Sequence, residues 1–432
     1  MKKKLIFLLM SIAGAATLLV FLAIAVNRGV NERVAQLDGE LEKFIERFPT
    51  TEANDSARQL NELTADLGIG LAFKSGNRPD PAPETIEKFE QIREELDRFL
   101  ETELEKATAS QGSPAPESLR SYLETRKAEL QAVRSHLLNR ELPIWERNLR
   151  RRLDINQPWP SMLGLLNLQK LLILDVLEKN RLGQNQAELD SLEASWKLNQ
   201  TLWDRPDLIS QSIAILVAKL QAAALRKIDG LPAQWQKRAI AWDYQNSMLK
   251  SLELESWLNY GLANNPQMGF GDRLTPLEGL YIRLSAIDIS QNMRKKFAKL
   301  EFENICSFDS GAFDAEMADS IAWWNQMGQI AMPSLSGQWR KAGKMMLDWE
   351  LTQKILQAKT LAAEQGTWPE TLPDLESKVC PGERWIYQIN GDRSISLSFS
   401  KSLDWLLPQE GSIDLPLSYS SKQSAVSFQL LY

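Results

Sequence analysis

A single histidine and two cysteines in 432 residues take whole classes of mechanism out of reach. A structural zinc site needs four Cys or His ligands, and His136, Cys306 and Cys380 fall short even if they converge. Haem, iron–sulfur and catalytic zinc centres lose their usual ligands on the same ground. A Ser-His-Asp or Cys-His triad would have to use His136, which stands in the run Arg134-Ser135-His136-Leu137-Leu138 with no glycine elbow beside it. The expected reading is therefore no catalytic residue, no cofactor-binding residue and no metal ligand. An excess of positive charge is also missing: 50 basic against 56 acidic residues give a net charge of -6, which argues against a nucleic-acid partner.

What is present is the composition of a folded protein, 44% apolar and 25% charged, in a chain long enough for one large or two modest domains. Leu5 to Val26 form an uncharged run of about 22 residues that spans roughly 30 Å as a helix. Lys2, Lys3 and Lys4 precede it, and the nearly neutral Asn27-Arg28-Gly29-Val30-Asn31-Glu32 follows. The positive-inside rule then puts the lysines in the cytoplasm and the rest of the chain outside a bacterial inner membrane, with the lipid bilayer as one partner. A cleaved signal peptide, with Ala23-Ile24-Ala25 as its small-residue site, is the competing reading and exports the same domain. Ile213 to Leu225 is shorter, contains Lys219, and reads as a core helix.

The expected fold class is mainly α, in four parts: residues 1–30 as cytoplasmic tip and anchor, 31–158 as a membrane-proximal bundle, 159–367 as a helical-hairpin core, and 368–432 as a small antiparallel β cap. Apolar residues at threes and fours predict helices over Asn31–Phe48 and Glu84–Ala107, a third from Pro116 to about Asn139, and others over Pro232–Leu262, Pro276–Ile305 and Ser334–Gln365. Met162–Leu177 is apolar on nearly every face and belongs at the centre. With Gln184–Trp203 and Asp207–Asp229 it has the grammar of hairpins joined by short turns. The array is TPR-like in style, without a strict repeat. Ala263 to Asp272 holds a Gly-x-Gly that follows a helix, not a strand, and reads as a surface loop. From Trp385 the pattern alternates by twos around Asn390-Gly391-Asp392-Arg393, a hairpin signal, and Ala425–Leu430 reads as a closing strand.

The junction Gly366-Thr367-Trp368-Pro369-Glu370-Thr371-Leu372-Pro373-Asp374-Leu375, followed by Trp385-Ile386-Tyr387, resembles the G-x-[WY]-P-x-x-L-x-x-L segment of type II secretion pseudopilins. It covers about a tenth of the chain and implies a helix that stops and is followed by a hairpin. The apolar run Leu5–Val26 departs from the pseudopilin pattern in having no acidic residue and no prepilin peptidase site. The anchor-plus-helices layout is also similar to uncharacterised membrane-anchored helical proteins of bacterial envelopes.

Few residues carry candidate chemistry. Cys306 and Cys380 both lie in the exported part, where a disulfide between them persists; two buried free thiols fit the composition as well. Most of the 14 tryptophans sit at helical spacing among Leu and Ile, but Trp323 and Trp324 are adjacent, and neighbouring helix residues cannot both face one core. They are the candidate partner contact. Arg147, Arg150, Arg151 and Arg152 form a basic cluster read as a solvated face paired with Glu141, Glu146 and Asp154. Glu253, Glu255 and Glu350 lie in apolar helices without an assigned role. The expectation is an extracytoplasmic scaffold that meets another envelope protein. The alternative is an envelope glycan binder or cell-wall hydrolase working through Trp-lined carboxylates.

Overall fold

The computed structural model describes residues 28–71, 81–104, 108–109, 113–152, 162–264, 276–301, 303–331, 335–401, 403 and 417–421. The run Leu5–Val26, the strand expected at Ala425–Leu430 and the Gly-x-Gly at Gly269–Gly271 lie outside those residues. Within them the chain is mainly helical with a small sheet. The first half holds α1 (28–46), α2 (Asp55–Ala65), α3 (Pro83–Leu104), β1 (Thr108–Ala109), α4 (Glu117–Thr125), α5 (Lys127–Asn139), α6 (Leu149–Arg152), α7 (Met162–Arg181) and α8 (Asn185–Trp203). The second holds α9 (Leu208–Lys227), α10 (Gln234–Arg238), α11 (Tyr244–Asn264), α12 (Pro276–Leu300), α13 (Ser310–Ser320), α14 (Gln326–Ala331), α15 (Ser336–Gln365) and strands β2 (Trp385–Ile389), β3 (Ile395–Phe399) and β4 (Ser418–Ser421).

Helix α7 is central because it has no polar stripe to leave outside. Leu168, Leu171, Leu172, Leu174 and Val176 are fully buried, each contributing about 1.5–3 kcal/mol over its exposed state. It packs on α8 and α9, and α9 packs in turn on α15. Among the described residues α9 is the one helix long and apolar enough to cross a membrane, and 78% of its most apolar window is buried inside the protein. Asp207 starts it by accepting from Ser210 N–H at 2.9 Å, a side-chain cap for an otherwise open helix end. Buried ion pairs fix the neighbours: Lys227 meets Glu103 of α3 at 3.2 Å, and Arg226 meets Asp348 Oδ1 of α15 at 3.5 Å while donating to the Asp348 backbone carbonyl at 2.8 Å. Five indoles or their neighbours fill the seam, with Trp196 edge-on to Trp203, Trp235 and Trp349, and Trp203 stacked on Trp242 at 4.8 Å.

A second apolar cluster joins α1 to the α11–α12 pair. Leu37, Leu41, Phe44 and Ile45 of α1 meet Leu254, Trp257, Tyr260 and Ile287.

The sheet has the order β1-β4-β3-β2. Strands β2 and β3 form the expected hairpin, with Ile389 opposite Ile395. The left-handed residue of its turn is Arg393 (φ 64°), not Gly391, because the connection is a type I turn closed by one left-handed residue. At the other edge β1 runs parallel to β4, Thr108 opposite Ser420, so the cap draws a strand from the segment between α3 and α4. The cap shares one core with the helices: a single cluster of buried side chains runs from Ala57 to Tyr419.

Several helix boundaries differ from the sequence reading. The helix expected up to Asn139 breaks at Arg126 (φ −106°, ψ 19°) into α4 and α5. The one expected over Pro232–Leu262 breaks between Arg238 and Tyr244, where Asp243 accepts from Asn246 N–H and starts α11 afresh. Helices α2, α13 and α14 were not anticipated.

Candidate functional site

Three polar constellations stand out against this apolar body. The first contains the only histidine. Ser56 near the start of α2 and His136 on α5 are both buried, with Ser56 Oγ 2.9 Å from His136 Nε2. A nucleophilic pair requires the serine proton to point at the imidazole. Here Ser56 Oγ donates to Glu141 O at 2.7 Å, so Nε2 carries its own proton and donates toward Ser56 Oγ and Ser56 O. Burial holds the His136 pKa below its ordinary value, which keeps the ring neutral. The pair ties α2 to α5 and runs its protons away from nucleophilic catalysis.

The second constellation floors a cleft of about 540 Å³ between α4, α5 and α7. Asp175 and Lys179 stand one turn apart on α7, and Asp175 Oδ2 accepts from Arg134 (2.5 Å), Lys179 (2.7 Å) and Ser191 (2.6 Å). Burial raises the Asp175 pKa, opposed by Arg134 and Ser191. The rim carries Arg120, Lys127 and Arg181, each paired locally with Glu117, Glu124 and Glu178. Glu178 also accepts from Ala115 N–H at 2.8 Å. The four carboxylates of the cleft are each paired with a cation, and among the described residues no aromatic side chain lines it.

The third holds the cap. Glu350 of α15, buried, accepts from Ser377 Oγ (2.6 Å), Lys378 N–H (2.6 Å) and Trp385 Nε1 (3.0 Å). Sequence left this glutamate without a role, and the structure makes it the polar pin between helix and sheet. Glu253 pairs instead with Arg47 of α1 at 2.6 Å.

Of the sequence candidates, Cys306 and Cys380 are brought together as a disulfide with Cα atoms 5.7 Å apart. Trp323 and Trp324 are in a turn between α13 and α14, not on a helix, which corrects the reason for singling them out. Trp324 meets Tyr281 edge-on at 6.3 Å, while Trp323 is 86% exposed. The turn is bolted to α12: Asp288 accepts from Ala322 N–H and Asn325 Nδ2, both at 3.0 Å. Within the basic cluster, Arg147 and Arg150 find partners that the sequence reading did not name. Arg150 forms a fork with Glu42, and Arg147 donates to Pro49 O and Asp204 O. Most tryptophans, including Trp196, Trp235, Trp257, Trp339, Trp349, Trp368 and Trp385, are buried. Among the described residues no three His, Cys, Asp or Glu side chains converge to hold a metal ion.

Sequence reasoning missed the cleft. Its one legible trace is Asp175 and Lys179, two charges at i and i+4 inside a helix that is apolar on nearly every face. The remaining floor residues, Arg134 and Ser191, come from separate helices. Set against protein-family models, curated proteins and solved structures, the chain matches none.

Proposed function

We propose that this chain is a membrane-tethered extracytoplasmic interaction protein of a bacterial envelope. Leu5–Val26 is its single span in the inner membrane, with Lys2 to Lys4 in the cytoplasm, and the helical-hairpin body, TPR-like in style through α7, α8 and α9, is a scaffold that receives another envelope protein. The observation that carries the reading is the α4–α5–α7 cleft: an open recess whose charges of both signs are paired among themselves. A partner segment with its own charges can enter by exchanging with the Arg120–Glu117 and Lys127–Glu124 rim pairs, both weak because they are exposed to water, while the buried Arg134–Asp175–Lys179 floor keeps the recess in shape. The pseudopilin-like segment serves here as the joint between α15 and the cap: Gly366 (φ 71°) ends the helix, and Trp368 and Leu372 return to the core.

The test is a pull-down of the full-length chain, cross-linked in intact cells, beside an Arg120→Glu/Arg181→Glu variant and a tether-only control of residues Met1–Phe48. An envelope protein captured by the full chain, lost with the tether alone and depleted in the charge-reversed variant, is the expected outcome. Cell-wall fragments retained in place of any protein would replace this reading with the glycan one.

A further inference from the structure

The direction of α1 decides which end of the body its tether leaves from. Tyr260 Oη donates to Asp38 Oδ1 (2.8 Å) and lies 3.1 Å from Val34 O, while Arg47 meets Glu253 at 2.6 Å, so α1 runs antiparallel to α11. Asn259 of α11 lies beside Met293 of α12, and Gln245 and Ile305 both flank Gly343, which makes α11 and α12 antiparallel to each other. Helix α1 is therefore parallel to α12, with Glu40 joined to Arg294 at 2.6 Å. Parallel helices rise equally per residue, so the same number of residues back from that pair, Arg28 stands level with Ile282. That is the level of Tyr281, on which Trp324 rests, and of the turn that presents Trp323 at 86% exposure.

We propose that this end of the body lies against the membrane and that Trp323 and Trp324, with Tyr281, seat in the interfacial layer of the bilayer's outer leaflet. Indoles favour that layer because the ring is apolar enough to leave water and its N–H stays within reach of headgroups and water. The turn suits the task. Asp288 and Asn325 fix its backbone to α12, so Trp323 is held outward by buried hydrogen bonds and pays little entropy on entering the lipid. Half-buried Leu280 and Leu284 continue the apolar surface toward α1. The occupant is a lipid surface and not a protein because the chain outside the described residues ends here: the 22-residue apolar run stops at Val26, two residues before Arg28, the first described residue of α1. The β cap, bonded through Cys306–Cys380 beyond the other end of α12, is then held roughly 30 Å or more from the bilayer. A body pinned at a tether and at a second interfacial point has a fixed orientation, which a lone tether does not provide.

This inference rests on the tether reading, and one experiment separates the two. The full-length protein, its native disulfide intact, carries a single environment-sensitive fluorophore on Trp323→Cys or, as distal control, on Ile389→Cys in the cap, a position 46% exposed. Each is reconstituted into phosphatidylethanolamine–phosphatidylglycerol vesicles with or without lipids spin-labelled at the headgroup. Co-flotation with the vesicles, with quenching severalfold stronger at position 323 than at 389, is the expected result. Co-flotation with equal, weak quenching at both positions overturns the interfacial seat while leaving the tether. Failure of either labelled full-length chain to float overturns the tether and the seat together.

Discussion

At the scale of single residues, the buried carboxylates hold the testable chemistry. Glu350 receives three donors from the cap, so Glu350→Ala strands all three in the core and removes a counter-charge from buried Lys354. It is expected to cost about 3–5 kcal/mol in chemical denaturation, with Glu350→Gln costing less because it keeps the volume and one acceptor. Glu188 makes the opposite case. Burial raises its pKa to about 7 from an ordinary 4.5, against a single hydrogen bond from Asn180. The folded state then holds the proton more tightly than the unfolded one, so stability falls as pH rises from about 4.5 to 7 and stays reduced above it. Glu188→Gln is expected to match the parent near pH 4 and to exceed it at pH 8 by up to about 3 kcal/mol, read as a melting-temperature difference that opens with pH. Equal stability at both pH values would contradict the buried, proton-holding assignment. Neither role was legible in the sequence, because an acid in an apolar helix looks the same whether it caps a sheet or merely reaches solvent.

At the scale of elements, periodicity located the long helices to within a few residues and failed where the buried face is not apolar. Helix α2 buries Ser56, Ala57, Leu60, Asn61 and Thr64, a stripe in which only Leu60 signals a core position. The break at Arg126 has no glycine or proline to announce it. Strand β1 is two residues long and gains its strand character solely from β4, so nothing local could predict it. The disulfide acts between elements, joining the segment after α12 to the cap across 74 residues. In the loop-entropy picture its removal by Cys306→Ser/Cys380→Ser costs about 4 kcal/mol. Urea denaturation of the oxidised and reduced protein measures this directly, and coincident curves would show that the bond does not constrain the unfolded chain. Gly343 is the close-packed partner of this joint, since a Cβ there would drive into Ile305, next to Cys306.

At the scale of the whole molecule, the shared core from Ala57 to Tyr419 and the ion pairs between α3, α9 and α15 make the body one frame for its surfaces. The cleft opens on α4, α5 and α7, the tryptophan turn sits on α12, and the cap is held by α15, so recess, tryptophan turn and cap occupy different parts of that frame. Composition foretold a folded body, and periodicity a mainly helical one with a small hairpin-bearing cap; the recess was hidden because its residues meet only when α5, α7 and α8 pack. The central claim is that the α4–α5–α7 cleft receives another protein in the envelope. The most direct measurement places a photo-cross-linking residue at Ser121 on the cleft rim, and in parallel at Ile389 on the cap, in living cells. The account predicts one discrete polypeptide adduct at Ser121, absent at Ile389 and weakened by Arg181→Glu. No adduct at Ser121, or the same adducts at both positions, would contradict it.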